Sequence, residues 1–222
     1  MERKGCILIL SHMASTRIQE LEWLNDIPPS LDYVIVKGNP ELDSDCIHDI
    51  DTHTCILKVD DSYDKLALKM KRAYEFIINT FNPTFLIKID DDVIVNVYKL
   101  LKVIKTLQVY DYCGIITYYN RTLYCGGPVY YMSNRALHYT KYIDEKDIQL
   151  FGFMEDACLG KTLFKHSVNS YCFHFYTNDI SKYPYFAAYH DVKRIVVSGK
   201  TSTSQPAPAP ARTKKLFGFL KI

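Results

Sequence analysis

Phe85-Leu86-Ile87-Lys88-Ile89-Asp90-Asp91-Asp92-Val93-Ile94-Val95-Asn96 is the stretch on which the fold turns. Its first half is a short, nearly continuous apolar run, the pattern of a strand buried on both faces. Three adjacent carboxylates follow at once. Like charges this close oppose one another's ionisation, so the arrangement is costly unless something positive meets it. A divalent cation with a preference for hard oxygen ligands is one such partner. If the strand ran on through the triplet, Asp90 and Asp92 would share a face and Asp91 would point the other way. The plainer reading is an acidic turn that caps the next helix through Asp92 or Asn96. The buried lead-in favours the cation.

Working outward, similar apolar runs occur at Cys6–Leu10, Tyr33–Val36, Cys55–Val59, Gly114–Thr117, Val129–Met132 and Tyr171–Phe175. Helical patterns lie between them. Ser15 is placed to cap a helix carrying Ile18, Leu21 and Leu24 on one face, and Ser62 a longer one carrying Leu66, Met70, Ala73 and Ile77. Val97–Leu107, Asn134–Tyr142 and Asp156–Phe164 are further helical segments. Strand and helix alternating at this pitch predict an α/β sandwich with a largely parallel sheet. Ligands in such sheets bind beyond the carboxyl ends of the strands.

The chain of 222 residues is 48% hydrophobic and 23% charged, enough to bury a core and too apolar for global disorder. Its net charge of +2 is too balanced for electrostatic capture of nucleic acid. No apolar run approaches a membrane span or signal core, so the expected setting is the cytoplasm, with the scattered cysteines reduced and mostly buried. Seven cysteines without a C-x-x-C pair do not suggest a zinc site. Asn120-Arg121-Thr122 is a glycosylation sequon, meaningful only in a secretory pathway. One domain is expected over residues 1–197. Residues 198–222 form a tail, in which Pro206-Ala207-Pro208-Ala209-Pro210-Ala211 reads as an extended spacer. The basic, apolar end after it could dock on the domain, touch a membrane surface or begin a further module.

Two more segments carry chemistry. Glu155-Asp156 lies in the apolar stretch Phe153 to Gly160. It either occupies the first turn of a helix or presents a base held near apolar walls. Gly126-Gly127 precedes the strand Val129–Met132 and is either a turn or a place where backbone approaches a sugar closely. Neither G-x-x-x-x-G-K-[ST] nor G-x-G-x-x-G occurs.

Taken in order, these pieces resemble the β-1,3-galactosyltransferase and Fringe-related glycosyltransferases, which have the GT-A fold. Leu57 to Lys69 is similar to the family's D-x-x-D-S-Y-x-N-L-T-x-K stretch, with Asp64 and Ala67 in place of Asn and Thr. Lys88 to Asn96 is similar to K-x-D-D-D-x-x-V-N, and Tyr124 to Ser133 to Y-C-x-G-x-G-Y-x-x-S with Pro128 where a third glycine is common. Glu155-Asp156 with Gly160 is similar to E-D-V-x-x-G, Ala157 replacing Val. The family's enzymes are normally Golgi-anchored and disulfide-bonded. A compact chain rich in Tyr, Ile and Lys, followed by a Pro-Ala spacer, looks like a virus-encoded member that glycosylates viral proteins in the host cytoplasm.

The resemblance implies an inverting transfer from a UDP-sugar to a glycan or glycoprotein hydroxyl. Asp92 then holds Mn2+ or Mg2+, Asp90 and Asp91 position the ribose and support the metal, and Asp156 is the general base. Arg17, Asp61, Gly126 and Gly127 fall at nucleotide-sugar contacts. His174, eighteen residues past Asp156, is the candidate histidine ligand to the metal, with His190 in reserve. Two other classes compete. A phosphoesterase would use the triplet for two metals, and a non-catalytic carbohydrate-binding domain would keep the fold but need no base.

Overall fold

Side-chain alternation along β1 (Gly5–Leu10) and β5 (Phe85–Asp90) organises the molecule. The two strands pair in parallel from Cys6 opposite Leu86 to Leu10 opposite Asp90. Cys6, Leu8, Leu10 and Leu86 enter one core, whereas Ile7, Ile9, Ile87 and Ile89 enter another, as a period of two requires. Lys88 and Asp90 therefore stand on the Leu86 face. The computed structural model of the protein describes residues 4–177 and 186–190.

Around this pair lie β2 (Leu31–Gly38), β3 (Cys46–Asp49), β4 (Thr54–Leu57), β7 (Tyr112–Tyr119), β8 (Thr122–Ser133) and β9 (Ser170–Cys172). Together they form an eight-stranded sheet in the order β3-β4-β2-β1-β5-β8-β7-β9. Of its seven pairings, β4-β2, β2-β1, β1-β5 and β7-β9 are parallel, and the others are antiparallel. A small second sheet pairs β6 (Val93–Val95) with β11 (Ala188–His190), which pairs with β10 (Tyr176–Thr177).

Helices cover both faces of the large sheet. On the Leu86 face, α1 (Leu66–Thr80) buries Met70, Ala73, Tyr74 and Ile77, and α3 (Asn134–Tyr139) buries Leu137. There α5 (Glu155–Lys165) adds Leu159 and Leu163. On the other face, α2 (Val97–Leu107) buries Val97, Leu100, Ile104 and Leu107 at helical spacing, beside Trp23. The short α4 (Glu145–Phe151) leads through Gly152 towards α5. The result is a mixed α/β sandwich with a mostly parallel central sheet, compatible with a Rossmann-like GT-A fold. Met1–Val192 is one compact unit; Lys193–Ile222, and with it the expected 198–222 tail, lies outside the described residues.

Several local expectations need correction. The helix after β1 is instead two 3-10 stretches, Arg17–Glu20 and Glu22–Asp26; Thr16 is the N-cap of the first, and the Ser15 hydroxyl oxygen accepts from the Arg17 amide at 3.3 Å. The same hydroxyl donates its proton to Asp91 Oδ2 at 2.6 Å, a charge-assisted bond. Ser62 makes no side-chain cap bond, and a 3-10 turn, Tyr63–Lys65, leads into α1. The glycine pair is not a turn before a strand but lies inside β8. The ladder slips there, with Gly114 opposite Tyr130 and Ile115 opposite Gly126. Tyr171–Phe175 is not one strand, since β9 ends at Cys172. All seven thiols are free, and five of them are buried.

Candidate active site

The chain leaves β5 in a turn at Asp91-Asp92, and this overturns the expected facing of the triplet. Asp91 and Asp92 look towards the same cation: an Arg17 guanidinium nitrogen lies 3.7 Å from Asp91 Oδ1 and 3.5 Å from Asp92 Oδ2. Asp90 keeps the strand alternation and pairs with Lys88 Nζ at 2.7 Å. The turn is held tightly. The Asp91 amide donates to the Leu10 carbonyl at 3.0 Å, and the Ser11 and Ser15 hydroxyls both donate to Asp91 Oδ2. Trp23 Nε1 donates to the Val93 carbonyl at 3.1 Å just beyond. Asn96 then caps α2 by accepting from the Lys99 amide, so the capping role expected of Asp92 or Asn96 falls to Asn96.

Asp61 closes the same end of the sheet from the α1 side. It accepts from Lys69 Nζ at 2.6 Å and from the Met13 amide at 2.6 Å, and Lys69 also donates to the Ser11 carbonyl. Asp61 thereby ties the loop after β1 to the start of α1. With Ser11, His12, Asp91 and Asp92 it lines a compartment of about 370 Å³ at the carboxyl ends of β1 and β5.

A second compartment of about 350 Å³ adjoins the first, sharing Tyr63, Leu66 and Asp90 with it. Its lining includes Lys88, Gly127, Phe153, Glu155 and Asp156. Asp156 sits in the first turn of α5, and its Oδ2 accepts from the Gly127 amide at 3.1 Å. Gly127 is needed there: its φ is +91°, and a Cβ would collide with the Tyr176 hydroxyl. Gly126 is packed against Thr117 and Tyr124. The pair therefore serves a bulge that aims an amide at Asp156. Tyr63 and Phe153 stack at the rim, 5.3 Å between centroids, and both are exposed.

Glu155, the neighbour of Asp156, points into the core. Its Oε1 lies 3.1 Å from Lys88 Nζ, and its Oε2 accepts from the Tyr130 hydroxyl at 2.9 Å. Burial pushes its carboxyl up from 4.5 to about 7, against the opposing pull of Lys88, and Asp156 and Asp90 add to the rise. Burial alone would lower the Lys88 ammonium, yet Asp90 and Glu155 outweigh it and raise it. The two partners respond unequally because Lys88 faces two anions, while Glu155 shares its one cation with the closer Asp90.

A carboxyl raised by folding stabilises the native state below its unfolded value and loses that contribution as pH climbs through the folded one. Relative to Glu155→Gln, the wild-type chain is thus expected to lose stability as pH rises from 4.5 to about 7. The difference is on the order of 3 kcal/mol, read by denaturant unfolding of both proteins across that range. Parallel pH curves would show that Glu155 does not titrate there.

His174 is exposed, and its Nε2 lies 3.8 Å from Cys172 Sγ. Among the described residues no three His, Cys, Asp or Glu side chains converge as a metal shell, so His174 does not join the triplet in one. The β11-β6 register sets the His190 backbone opposite Val93, next to Asp92. A divalent cation that arrives with a diphosphate needs only one or two protein carboxylates, since the phosphates supply other ligands. Asp92, with Asp91 beside it, suits that kind of site.

The sequence gives Lys88, Glu155, Ser11 and Tyr63 no individual role, and Ser15 only that of a helix cap. Lys88 carried a usable signal, a lone cation inside an otherwise apolar strand. For the two serines nothing in the sequence marked the contact with Asp91, which is 80 and 76 residues away.

Residues 41–115 match the family model described as Galactosyltransferase. The matched span carries Asp61, all of α1 and the triplet, whereas Asp156 lies beyond it. The match supports a galactosyltransferase-like family and glycosyl transfer in general. Among solved structures, one described as the crystal structure of A197 from STIV aligns with 77% of this chain and 82% of its own, at 14% identity and a TM-score of 0.43. No curated protein matches the chain. No helix among the described residues is long and apolar enough to cross a membrane.

Proposed function

We propose that the chain is an inverting, metal-dependent glycosyltransferase that moves a sugar from a UDP-sugar to a hydroxyl of a glycan or glycoprotein. The observation that carries this reading is the pair of adjoining compartments. One is lined by the acidic triplet, the other by Asp156, and they meet at Asp90 and Tyr63. A donor spanning them has its diphosphate among Asp91, Asp92 and Arg17 and its sugar towards Asp156.

The residues divide the work. Arg17 offers a fixed positive charge where the leaving group gathers negative charge. Asp92, backed by Asp91, would hold Mn2+ or Mg2+, whose Lewis acidity neutralises the departing diphosphate when bound. Asp61 and Lys69 shape the nucleotide end. Asp156 accepts the acceptor hydroxyl's proton. The oxygen then bonds to the anomeric carbon while the bond to phosphate breaks and its electron pair leaves with UDP. A single displacement inverts the centre, and one base suffices because the leaving group needs no proton.

The experiment is a thermal-shift panel of UDP-galactose, UDP-N-acetylglucosamine, UDP-glucose and UDP-xylose with and without Mn2+. A UDP-sugar at 100 times its Kd stabilises by about 2.7 kcal/mol, an upward shift of several degrees. At least one sugar nucleotide is expected to give it, and only with the cation. A flat panel at saturating concentrations removes the donor assignment.

A further inference from the structure

The cation at the centre of the site is buried. Lys88 is 2% exposed, on the face of β5 that otherwise enters the α1 and α5 core. It reaches Asp90 at 2.7 Å and Glu155 at 3.1 Å, and its ammonium sits 5.4 Å from the centre of the Tyr130 ring. Glu155 is held from its other oxygen by Tyr130, whose hydroxyl also contacts that of Tyr74 on α1. Burying an ion pair is seldom the cheapest way to stabilise a core, because desolvation offsets the attraction. An apolar residue at position 88 would match its strand neighbours. What the cation does that an apolar residue cannot is link two anions from segments 65 residues apart: Asp90, beside the turn that carries Asp92, and Glu155, beside Asp156.

We propose that Lys88 is a positioning residue that locks the first turn of α5 to the end of β5, so that Asp156 and the triplet keep one fixed separation. The inference rests on the glycosyltransferase reading above. Glu155 and Asp156 are consecutive in one helical turn, so anchoring one side chain orients the other. The Gly127 amide fixes the remaining freedom of the Asp156 carboxylate. Without Lys88, Asp90 and Glu155 lose the cation that joins them, and the first turn of α5 loses its direct tie to β5. A displacement of about 1 Å between reacting groups costs on the order of 100-fold in rate. Binding of UDP in the other compartment does not depend on that separation.

The test uses the full chain and four variants, Lys88→Met, Lys88→Arg, Lys88→Met with Glu155→Gln, and Asp156→Asn. Each is measured for UDP affinity in Mn2+ by calorimetry. Each is also measured for kcat and acceptor KM with whichever nucleotide sugar of the panel the wild-type chain turns over. Lys88→Met is expected to bind UDP within about threefold of wild type and to lose on the order of 100-fold in kcat. Lys88→Arg is expected to fall between the two, because the charge is kept while the reach changes. The double variant removes the carboxyl left without its cation but does not restore the tie, and its kcat is expected to stay low. Recovery of wild-type kcat in the double variant means that Lys88 serves only charge balance, and overturns the proposal. So does a Lys88→Met kcat within threefold of wild type while Asp156→Asn is inactive. Should Asp156→Asn be as active as wild type, the base assignment falls and the positioning role falls with it. If Lys88→Met does not fold, Lys88→Arg decides: a kcat about tenfold down with unchanged UDP affinity supports the tie, and wild-type kcat overturns it.

Discussion

Replacing Asp156 by Asn is expected to leave the fold and UDP binding intact and to lower transfer by 10²- to 10⁴-fold, the usual contribution of a positioned general base. Asparagine keeps the size of the side chain and an oxygen that can accept from the Gly127 amide, as Asp156 Oδ2 does at 3.1 Å, and gives up only the Oδ1 contact with the Ala157 amide. It cannot take up a proton near neutral pH. The loss should therefore appear in kcat, with the acceptor KM little changed, since what disappears is an interaction made in the transition state. Steady-state assays with the preferred nucleotide sugar, beside UDP calorimetry, measure both quantities. Transfer at wild-type rates in this variant places the base elsewhere.

The second large effect belongs to Asp92. Asp92→Ala is expected to reduce Mn2+-dependent UDP affinity by at least 10- to 100-fold, the loss typical even for the outer partners of a metal site. Cation-independent affinity should change little, because Arg17 remains. The measurement is calorimetric titration of UDP in Mn2+ and then in EDTA. In the wild-type chain the chelator should abolish most of the affinity, and in the variant it should matter little. Equal affinity of the two proteins in Mn2+ would remove Asp92 from the metal role. The charge change deserves a control: Arg17 loses one of its two carboxylates in this variant. Asp92→Asn, which keeps the side-chain shape, separates loss of charge from loss of packing.

How much of this was legible beforehand depends on the range of the interaction. The apolar runs of β1 and β5 and the helical spacing of α1 and α2 are local patterns, and α2 has the bounds its periodicity predicts. The short edge strand β3 carries no such run and escaped notice, as did β6 and β11, which exist by pairing with each other. The chain after β1 shows why propensity misleads near a site. Ser15 accepts from the Arg17 amide much as a cap would, yet the same hydroxyl also donates to Asp91, which propensity does not foretell.

By itself, the order of residues determined the alternation of strand and helix, the carboxylates at a buried strand's end and the acidic pair 63 residues beyond the last of the triplet, because each is a matter of near neighbours along the chain. Only the tertiary structure decided that Asp91 and Asp92 turn together towards Arg17, that Gly127 serves Asp156 rather than a turn, and that Lys88 joins the two acidic motifs. Those outcomes depend on which distant charges share a low-dielectric interior. Attraction between a buried cation and anion is settled by ångströms of separation across the sheet, and spacing along the chain does not encode that distance.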